Sequence, residues 1–303
     1  MKYAITGSLG HISKSIVTAL VKAGHEVTVI TSTQNRVKDI ETLGANAAVG
    51  SIEDTAFLTR AFAGAHAVYT MVPPKFDAPD WKAYIGQIGK NYAVAIKNNN
   101  IQYAVNLSSI GAHLADGCGP VSGLHRAEEA LNSLEGVNIK HLRPAYFYYN
   151  LLNNINLIKG MGIIGSNFSM SDKKFTLTDT SDIADRATQF LLNLSFTGKS
   201  VEYIVSDEVS TDEVASTIGN AINKPDLKWV AFTDEQAFQG GVQAGLPEEI
   251  SKNYAEMGHA LQTGAMGEDY WKNRPAVLGK VKLVDFVKTF ARVYNGETAA
   301  AAH

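Results

Sequence analysis

One cysteine, Cys118, stands in 303 residues, so no intrachain disulfide can form and no cysteine-rich zinc site can be assembled, as befits a reducing compartment. No run of Lys and Arg is dense enough to follow a phosphate backbone. The 27 basic side chains are set against 30 acidic ones, a net charge of −3, which argues against direct nucleic-acid binding. No apolar stretch approaches membrane-spanning length, and the first residues lead into a strand pattern without a basic start and an apolar segment to cleave. Neither membrane insertion nor secretion is expected, and the cytoplasm is the default. No His/Asp/Glu spacing describes a metal site. What is present is an ordinary globular composition, 45% hydrophobic and 19% charged, in a chain long enough for a large α/β domain and a smaller one. The run Ala299 to His303 reads as a frayed end or an added tail and enters no fold argument.

Short apolar strands alternate with amphipathic helices through the first half, the pattern of a parallel sheet covered by crossover helices. Strands are expected at Tyr3 to Thr6, Glu26 to Thr31, Ala47 to Gly50, Ala67 to Met71, Ala104 to Ser108 and Ile139 to Arg143, with helices at 11–23, 36–43, 54–63, 81–98 and 124–134. In the first helix Ile12, Ile16 and Leu20 form one apolar stripe, leaving Lys14, Thr18 and Lys22 to water. Gly24 and Gly44 stand where helices need a left-handed stop. Beyond Asn150 the alternation loosens, with Gly-containing stretches at 160–165 and 240–245, a surface segment Pro247 to Tyr254 and a last helix Leu283 to Tyr294. A helix over Ser181 to Leu192 and a strand over Ser200 to Val205 extend the first sheet. The division is therefore a domain over 1–150, rejoined by about 179–206, and a smaller α/β domain over 151–303.

The segment Thr6-Gly7-Ser8-Leu9-Gly10-His11-Ile12-Ser13 follows the first strand and opens the first helix. In that context the spacing G-x-x-G-x-x-S describes a dinucleotide cradle in a Rossmann-type, doubly wound α/β fold. Gly7 permits the tight turn, Gly10 lets the backbone approach a pyrophosphate, and the helix N-terminus lends partial positive charge to the site around Leu9, His11 and Ile12. Ser13 takes the place of a third glycine, widening the site or itself reaching a phosphate. His11 either contacts a phosphate or is an exposed first-turn residue.

The second strand ends Val29-Ile30-Thr31-Ser32 without the acidic residue that grips a ribose 2′-hydroxyl, and Arg36 follows. Hydroxyls and a guanidinium suit a 2′-phosphate, so NADP(H) is favoured, with NAD(H) also admitted; the alternative for Arg36 is the start of a solvated helix face. Ser51, Ile52 and Glu53 occupy the turn that flanks the adenine, and Met71, Val72 and Pro73 end the fourth strand on the nicotinamide-ribose side.

These motifs, with Leu107-Ser108-Ser109, Leu142-Arg143-Pro144-Ala145-Tyr146-Phe147-Tyr148-Tyr149-Asn150 and Asp179-Thr180-Ser181-Asp182-Ile183-Ala184-Asp185, resemble the NmrA-like branch of the atypical short-chain dehydrogenase/reductase superfamily, especially its quinone-reductase-like members. The resemblance implies a small C-terminal domain that forms a cleft over the nicotinamide. Some members of that branch reduce quinones or other small carbonyl-like compounds with NADPH. Others bind the dinucleotide to report redox state to a protein partner, and a homodimer or a regulatory partner is compatible with either.

Short-chain reductases use a Tyr-x-x-x-Lys pair in which Lys lowers the phenol pKa and Tyr donates the proton. The corresponding stretch here is Val121-Ser122-Gly123-Leu124-His125, lacking both, which tells against ketone reduction and nucleotide-sugar epimerisation. A quinone asks less, because hydride addition gives a stabilised anion that a weak proton source satisfies. The candidates for catalysis are His125, Tyr146 and Ser109, and Ser108, His125 and Tyr146 are also candidates for the cofactor. Each has a plain alternative: His125 as a water-exposed residue at a helix start, Ser108 and Ser109 as local backbone caps, and the rings 146–149 as core. Asn150 is expected to cap the next helix, Glu128 and Glu129 to lie on a solvated face, and Cys118 to be a surface thiol.

Overall fold

Runs of β-branched and small apolar residues bounded by glycine or by a capping residue set the first elements. The computed structural model describes residues 1–298, so the expectation for Ala299 to His303 lies outside the described residues. Along the chain come β1 (Lys2–Ile5), α1 (His11–Lys22), β2 (Glu26–Thr31), α2 (Val37–Thr42), β3 (Asn46–Val49), α3 (Thr55–Ala61), β4 (Ala67–Thr70), α4 (Trp81–Asn98), β5 (Tyr103–Leu107), α5 (Pro120–Asn132) and β6 (Asn138–Pro144). There follow β7 (Tyr146–Phe147), α6 (Ile155–Met161), β8 (Ile164–Ser166), β9 (Phe175–Thr178), α7 (Thr180–Asn193), β10 (Lys199–Ile204), β11 (Asp207–Val209), α8 (Thr211–Ala221), β12 (Trp229–Ala231), α9 (Asp234–Gln243), α10 (Glu248–Thr263), α11 (Glu268–Lys272) and α12 (Leu283–Tyr294).

The chain divides into two units, one built from residues 1–116, 120–143 and 183–202 and the other from 117–119, 144–182 and 203 onward. The first holds the seven-stranded sheet, ordered β10-β6-β5-β4-β1-β2-β3, a doubly wound Rossmann-type arrangement. The pairings β3·β2·β1·β4·β5·β6 are all parallel. Ala4, Ile30, Val68, Ala104 and Ile139 project from one sheet face onto Leu58 of α3, Ile88, Tyr92 and Ile96 of α4 and Leu131 of α5. On the other face α1 buries Ile16, Val17 and Leu20, each side chain worth about 1.5–3 kcal/mol of transfer from water. Tyr3 reaches α7 there, its hydroxyl donating to the Leu191 carbonyl at 2.8 Å.

Polar side chains also lie side by side on the α4/α5 face. Thr70 donates to Asn106 Oδ1 (2.9 Å), Asn106 Nδ2 contacts His141 Nδ1 (3.1 Å), and His141 Nε2 contacts Asn132 Oδ1 (3.0 Å). With Thr70 as donor, Asn106 must donate to Nδ1, so His141 carries its proton on Nε2 and gives it to Asn132. Arg143 donates to both oxygens of Glu128, at 3.0 and 2.7 Å. Glu128 is thus buried and ion-paired, not on a solvated face, because β6 delivers a guanidinium under that turn of α5.

The second unit carries a three-stranded sheet, β11-β9-β7, and a two-stranded one, β12-β8. Asp182 is buried in it and accepts from Ser206 Oγ at 2.6 Å and from the Lys280 amide at 2.9 Å. The segment expected as surface, Pro247 to Tyr254, is the start of a sixteen-residue helix, α10, with Ile250, Ser251 and Asn253 buried. The Gly-containing stretch 240–245 begins inside α9, whose start is fixed by a Thr233–Gln236 capping box. Cys118 is fully buried, not a surface thiol. Its loop packs closely on α10: a Cβ at Gly119 would stand 2.1 Å from the Asn253 carbonyl oxygen.

Candidate functional site

The loop between β1 and α1 is fixed from behind by hydrogen bonds. The Thr6 amide donates to the Tyr69 carbonyl at 3.0 Å, and the Thr6 hydroxyl accepts from the Met71 amide at 2.8 Å, tying β1 to the end of β4. Tyr92, from α4, donates to the Met71 carbonyl at 2.7 Å. The chain then turns through Gly7 (φ +89°) and Ser8 (φ +52°). At Gly7 a Cβ would stand 2.7 Å from Ser13 Oγ and 2.9 Å from Met71 Cγ, so both the torsion and the space demand glycine. Ser8 is held in its left-handed conformation by its amide on the Ile30 carbonyl (3.1 Å) and its hydroxyl on Thr31 Oγ1 (3.1 Å).

Gly10 is the N-cap of α1 and supplies no side-chain acceptor to the first turn. The amides that open the helix therefore have no intrahelical carbonyl, and they carry the positive end of the helix dipole. Such a terminus, reached through a glycine turn without a Cβ, fits the diphosphate of a dinucleotide.

Beside this loop, in the first unit, lies a cavity of about 300 Å³. Of the residues singled out from the sequence, Gly7, Ser32, Ser51, Ile52, Met71 and Pro73 line it. Leu9, Gly10, His11 and Ile12 belong to the adjoining loop and first turn, with His11 exposed and Ile12 buried. Val72 turns the other way, onto the α3/α4 core. Ser13 is buried behind the loop, its hydroxyl donating to the Thr6 carbonyl at 3.0 Å, so it serves the strand–helix packing and that proton is not directed to a phosphate. Arg36 lies outside the lining, in a short 3-10 turn, its side chain 54% exposed and 3.7 Å from Asp39.

Sequence reasoning missed Tyr84 and Lys75 in the lining. Ser8 and Thr31, from the loop and the strand end, are joined there by their hydroxyls; Tyr84 enters from the first turn of α4; and Lys75 follows Pro73 and Pro74. Lys75 Nζ donates to Glu53 Oε1 at 2.7 Å and stands 5.3 Å from the centre of the Tyr84 ring. That hydrogen bond raises the Lys75 pKa, and burial, with Glu53 nearby, raises that of the Tyr84 phenol. The available signal was a lysine just past the carboxyl end of a central strand, where ligands gather in such sheets.

The remaining candidates stand apart from this cavity. Ser108, at the end of β5, is buried and its hydroxyl has no protein partner. Ser109 Oγ donates to the Ile110 carbonyl at 2.9 Å. His125 lies inside α5, which starts at Pro120, and is not at a helix start; its Nδ1 is 2.9 Å from the Ala112 carbonyl and its Nε2 3.5 Å from Glu129. Val121, at the place of the usual tyrosine, is buried.

Tyr146 belongs to the second unit, where its ring packs against Phe175 (5.1 Å) and Phe168 (6.2 Å). Burial raises its phenol far above the ordinary value, so it keeps its proton at neutral pH. Tyr148 stacks on Phe286 at 5.1 Å, so alternate rings of the run serve different contacts. Asn150 lies within the 3-10 segment Tyr148–Asn154 and caps no helix. Among the described residues no group of His, Cys, Asp and Glu is placed to hold a metal ion, and no helix is long and apolar enough to cross a membrane.

A family model described as the NmrA-like family matches residues 2–270. No curated protein matches significantly. Among solved structures, the chain is similar to an NADPH-dependent quinone oxidoreductase from Escherichia coli complexed with NADPH, with TM-score 0.79 and 16% identity over 94% of this chain and 98% of that one. It is similar to a triphenylmethane reductase from Citrobacter sp. complexed with NADP(H), with TM-score 0.78 and 18% identity over 95% and 99% of the two chains. It is also similar to a nucleoside-diphosphate-sugar epimerase from Staphylococcus aureus, with TM-score 0.79 and 15% identity over 95% and 99%. At such identities these likenesses speak to the fold.

Proposed function

The chain belongs to the NmrA-like family, and on that premise we propose that it binds NADP(H) and reduces quinones or similar small electrophiles by direct hydride transfer. The observation that carries the reading is the Gly7 turn: a left-handed backbone, crowded by Ser13 and Met71, that favours glycine and leads into an uncapped helix start beside a cavity at the strand ends. Two similar folds, a quinone reductase and a dye reductase, are complexed with NADPH or NADP(H), which supports the same cofactor here.

The bound cofactor would supply the hydride. The chain's part is to hold it: the amides after Gly10 meet the diphosphate, while Ser32, Ser51 and Ile52 wall the adenosine side and Met71 and Pro73 the nicotinamide-ribose side. Ser108, whose buried hydroxyl has no protein partner, is an additional candidate for that contact. No group in this chain repeats the Tyr-x-x-x-Lys pair, so proton delivery falls to a weak donor: His125 through its ring, Ser109 or Tyr146 through a hydroxyl, or water. That is sufficient for a hydroquinone anion and poor for a simple ketone. The same reasoning disfavours sugar epimerisation despite the shared fold.

The missing pair also supports a second reading, a catalytically weak NADP(H)-sensing regulatory protein of the NmrA type. Mixing the purified chain with NADPH and a panel of simple quinones, and following the absorbance of the reduced nicotinamide, separates the two. Acceptor-dependent loss of that absorbance is expected. Saturable binding without turnover on any acceptor would transfer the protein to the sensing class.

A further inference from the structure

Among the described residues that line the cavity beside Gly7, Lys75 is the one cation and Glu53 the one anion, and they are paired with each other at 2.7 Å. The pair is open to water, with 33% of the Lys75 side chain and 49% of the Glu53 side chain exposed, the setting in which an ion pair is weakly held and readily exchanged. Its backbone is not loose. The Glu53 amide donates to Ser51 Oγ at 3.1 Å, and the Glu53 carbonyl accepts from Asn91 Nδ2 at 3.2 Å. Lys75 follows two prolines whose rings fix φ. Exchange therefore needs only side-chain rotation.

Resting on the dinucleotide reading above, we propose that the Glu53–Lys75 pair is the phosphate selector of this cavity. A dinucleotide carrying a 2′-phosphate draws Lys75 off the Glu53 carboxylate, and one with a bare 2′-hydroxyl leaves the pair intact. The phosphate has the advantage over the carboxylate in charge and in acceptor oxygens. Glu53 then turns to water, where its charge still opposes the phosphate and tempers the preference that Lys75 creates. This assignment moves selection from Arg36, which lies outside the lining, to the loops after β3 and β4.

The test titrates the full chain with NADPH and NADH, and separately with adenosine 2′,5′-bisphosphate and 5′-AMP, by calorimetry. The wild type is expected to prefer the 2′-phosphorylated member of each couple. Lys75→Met should lower that preference about tenfold, the scale of one charge contact near a surface. Glu53→Gln should raise it, and Arg36→Ala should change it by less than about twofold, since its charge is exposed and screened. Lys75→Gln repeats the loss with a polar side chain, excluding an effect of the methionine.

A preference unchanged in both Lys75 variants, or one abolished by Arg36→Ala, would overturn the assignment. Equal wild-type affinity for NADPH and NADH would overturn it too, while leaving the dinucleotide reading in place. Absence of saturable binding of all four compounds to the wild type would remove that reading and the selector with it.

Discussion

At Gly7 the backbone torsion of +89° and the 2.7 Å that would separate a Cβ from Ser13 Oγ act together. Gly7→Ala should cost about 1–2 kcal/mol for the left-handed torsion and about 1–3 kcal/mol for overpacking, and it should abolish NADPH binding by pushing the loop off Met71. Urea denaturation and a nucleotide titration check both, and a variant with unchanged stability and affinity would remove Gly7 from the cradle. A second residue-scale effect is set by His141. Burial lowers its imidazole pKa; Glu128 opposes the shift, while Arg143 and Lys140 add to it. The unfolded chain takes up this proton near the ordinary value of about 6.5 and the folded chain only at lower pH. Stability is therefore full above about 6.5 and declines as pH falls through it toward the folded value, by at most about 1.4 kcal/mol per pH unit. His141→Gln should flatten that part of the curve. Equal slopes for wild type and variant in urea midpoints between mildly alkaline and mildly acidic buffer would contradict it.

At the scale of elements, β6 and α5 are clamped by the Arg143–Glu128 pair, whose side chains are 9% and 5% exposed. Arg143→Met strands a buried carboxylate and should cost about 3–5 kcal/mol, whereas adding Glu128→Gln should recover part of the loss because no unpaired charge remains. Denaturation of the single and double variants measures this, and strict additivity would refute the coupling. The clamp also shows what sequence can and cannot reveal. The strand bearing Arg143 and the helix bearing Glu128 were legible from periodicity. Their meeting was not, because it depends on which turn of α5 lies over β6. The same limit hid α10: Ile250, Tyr254, Met257 and Leu261 recur at helical spacing, but the neighbouring polar residues and Pro247 made the segment resemble surface.

For the whole molecule, the cofactor loop was legible because its chemistry is local: a strand, a glycine turn and an uncapped helix start are consecutive in the chain. Lys75 and its meeting with Glu53 were not, because 22 positions separate the two and only the parallel pairing of β3, β2, β1 and β4 brings their loops to one cavity. The cavity therefore exists only in the folded chain, and a ligand bound there must stabilise the fold by linkage. NADPH at a free concentration of one hundred times its dissociation constant should add about 2.7 kcal/mol to the free energy of unfolding. The increment should grow with the logarithm of concentration and disappear in Gly7→Ala. Thermal or urea melts over a series of NADPH concentrations test it, provided the second unit is followed by its own signal, such as the fluorescence of Trp229 and Trp271 in a Trp81→Phe background, so that independent melting is not mistaken for linkage. A midpoint that does not move while calorimetry reports saturable binding would mean that the nucleotide also binds the unfolded chain, and the preorganised cradle would no longer account for the affinity.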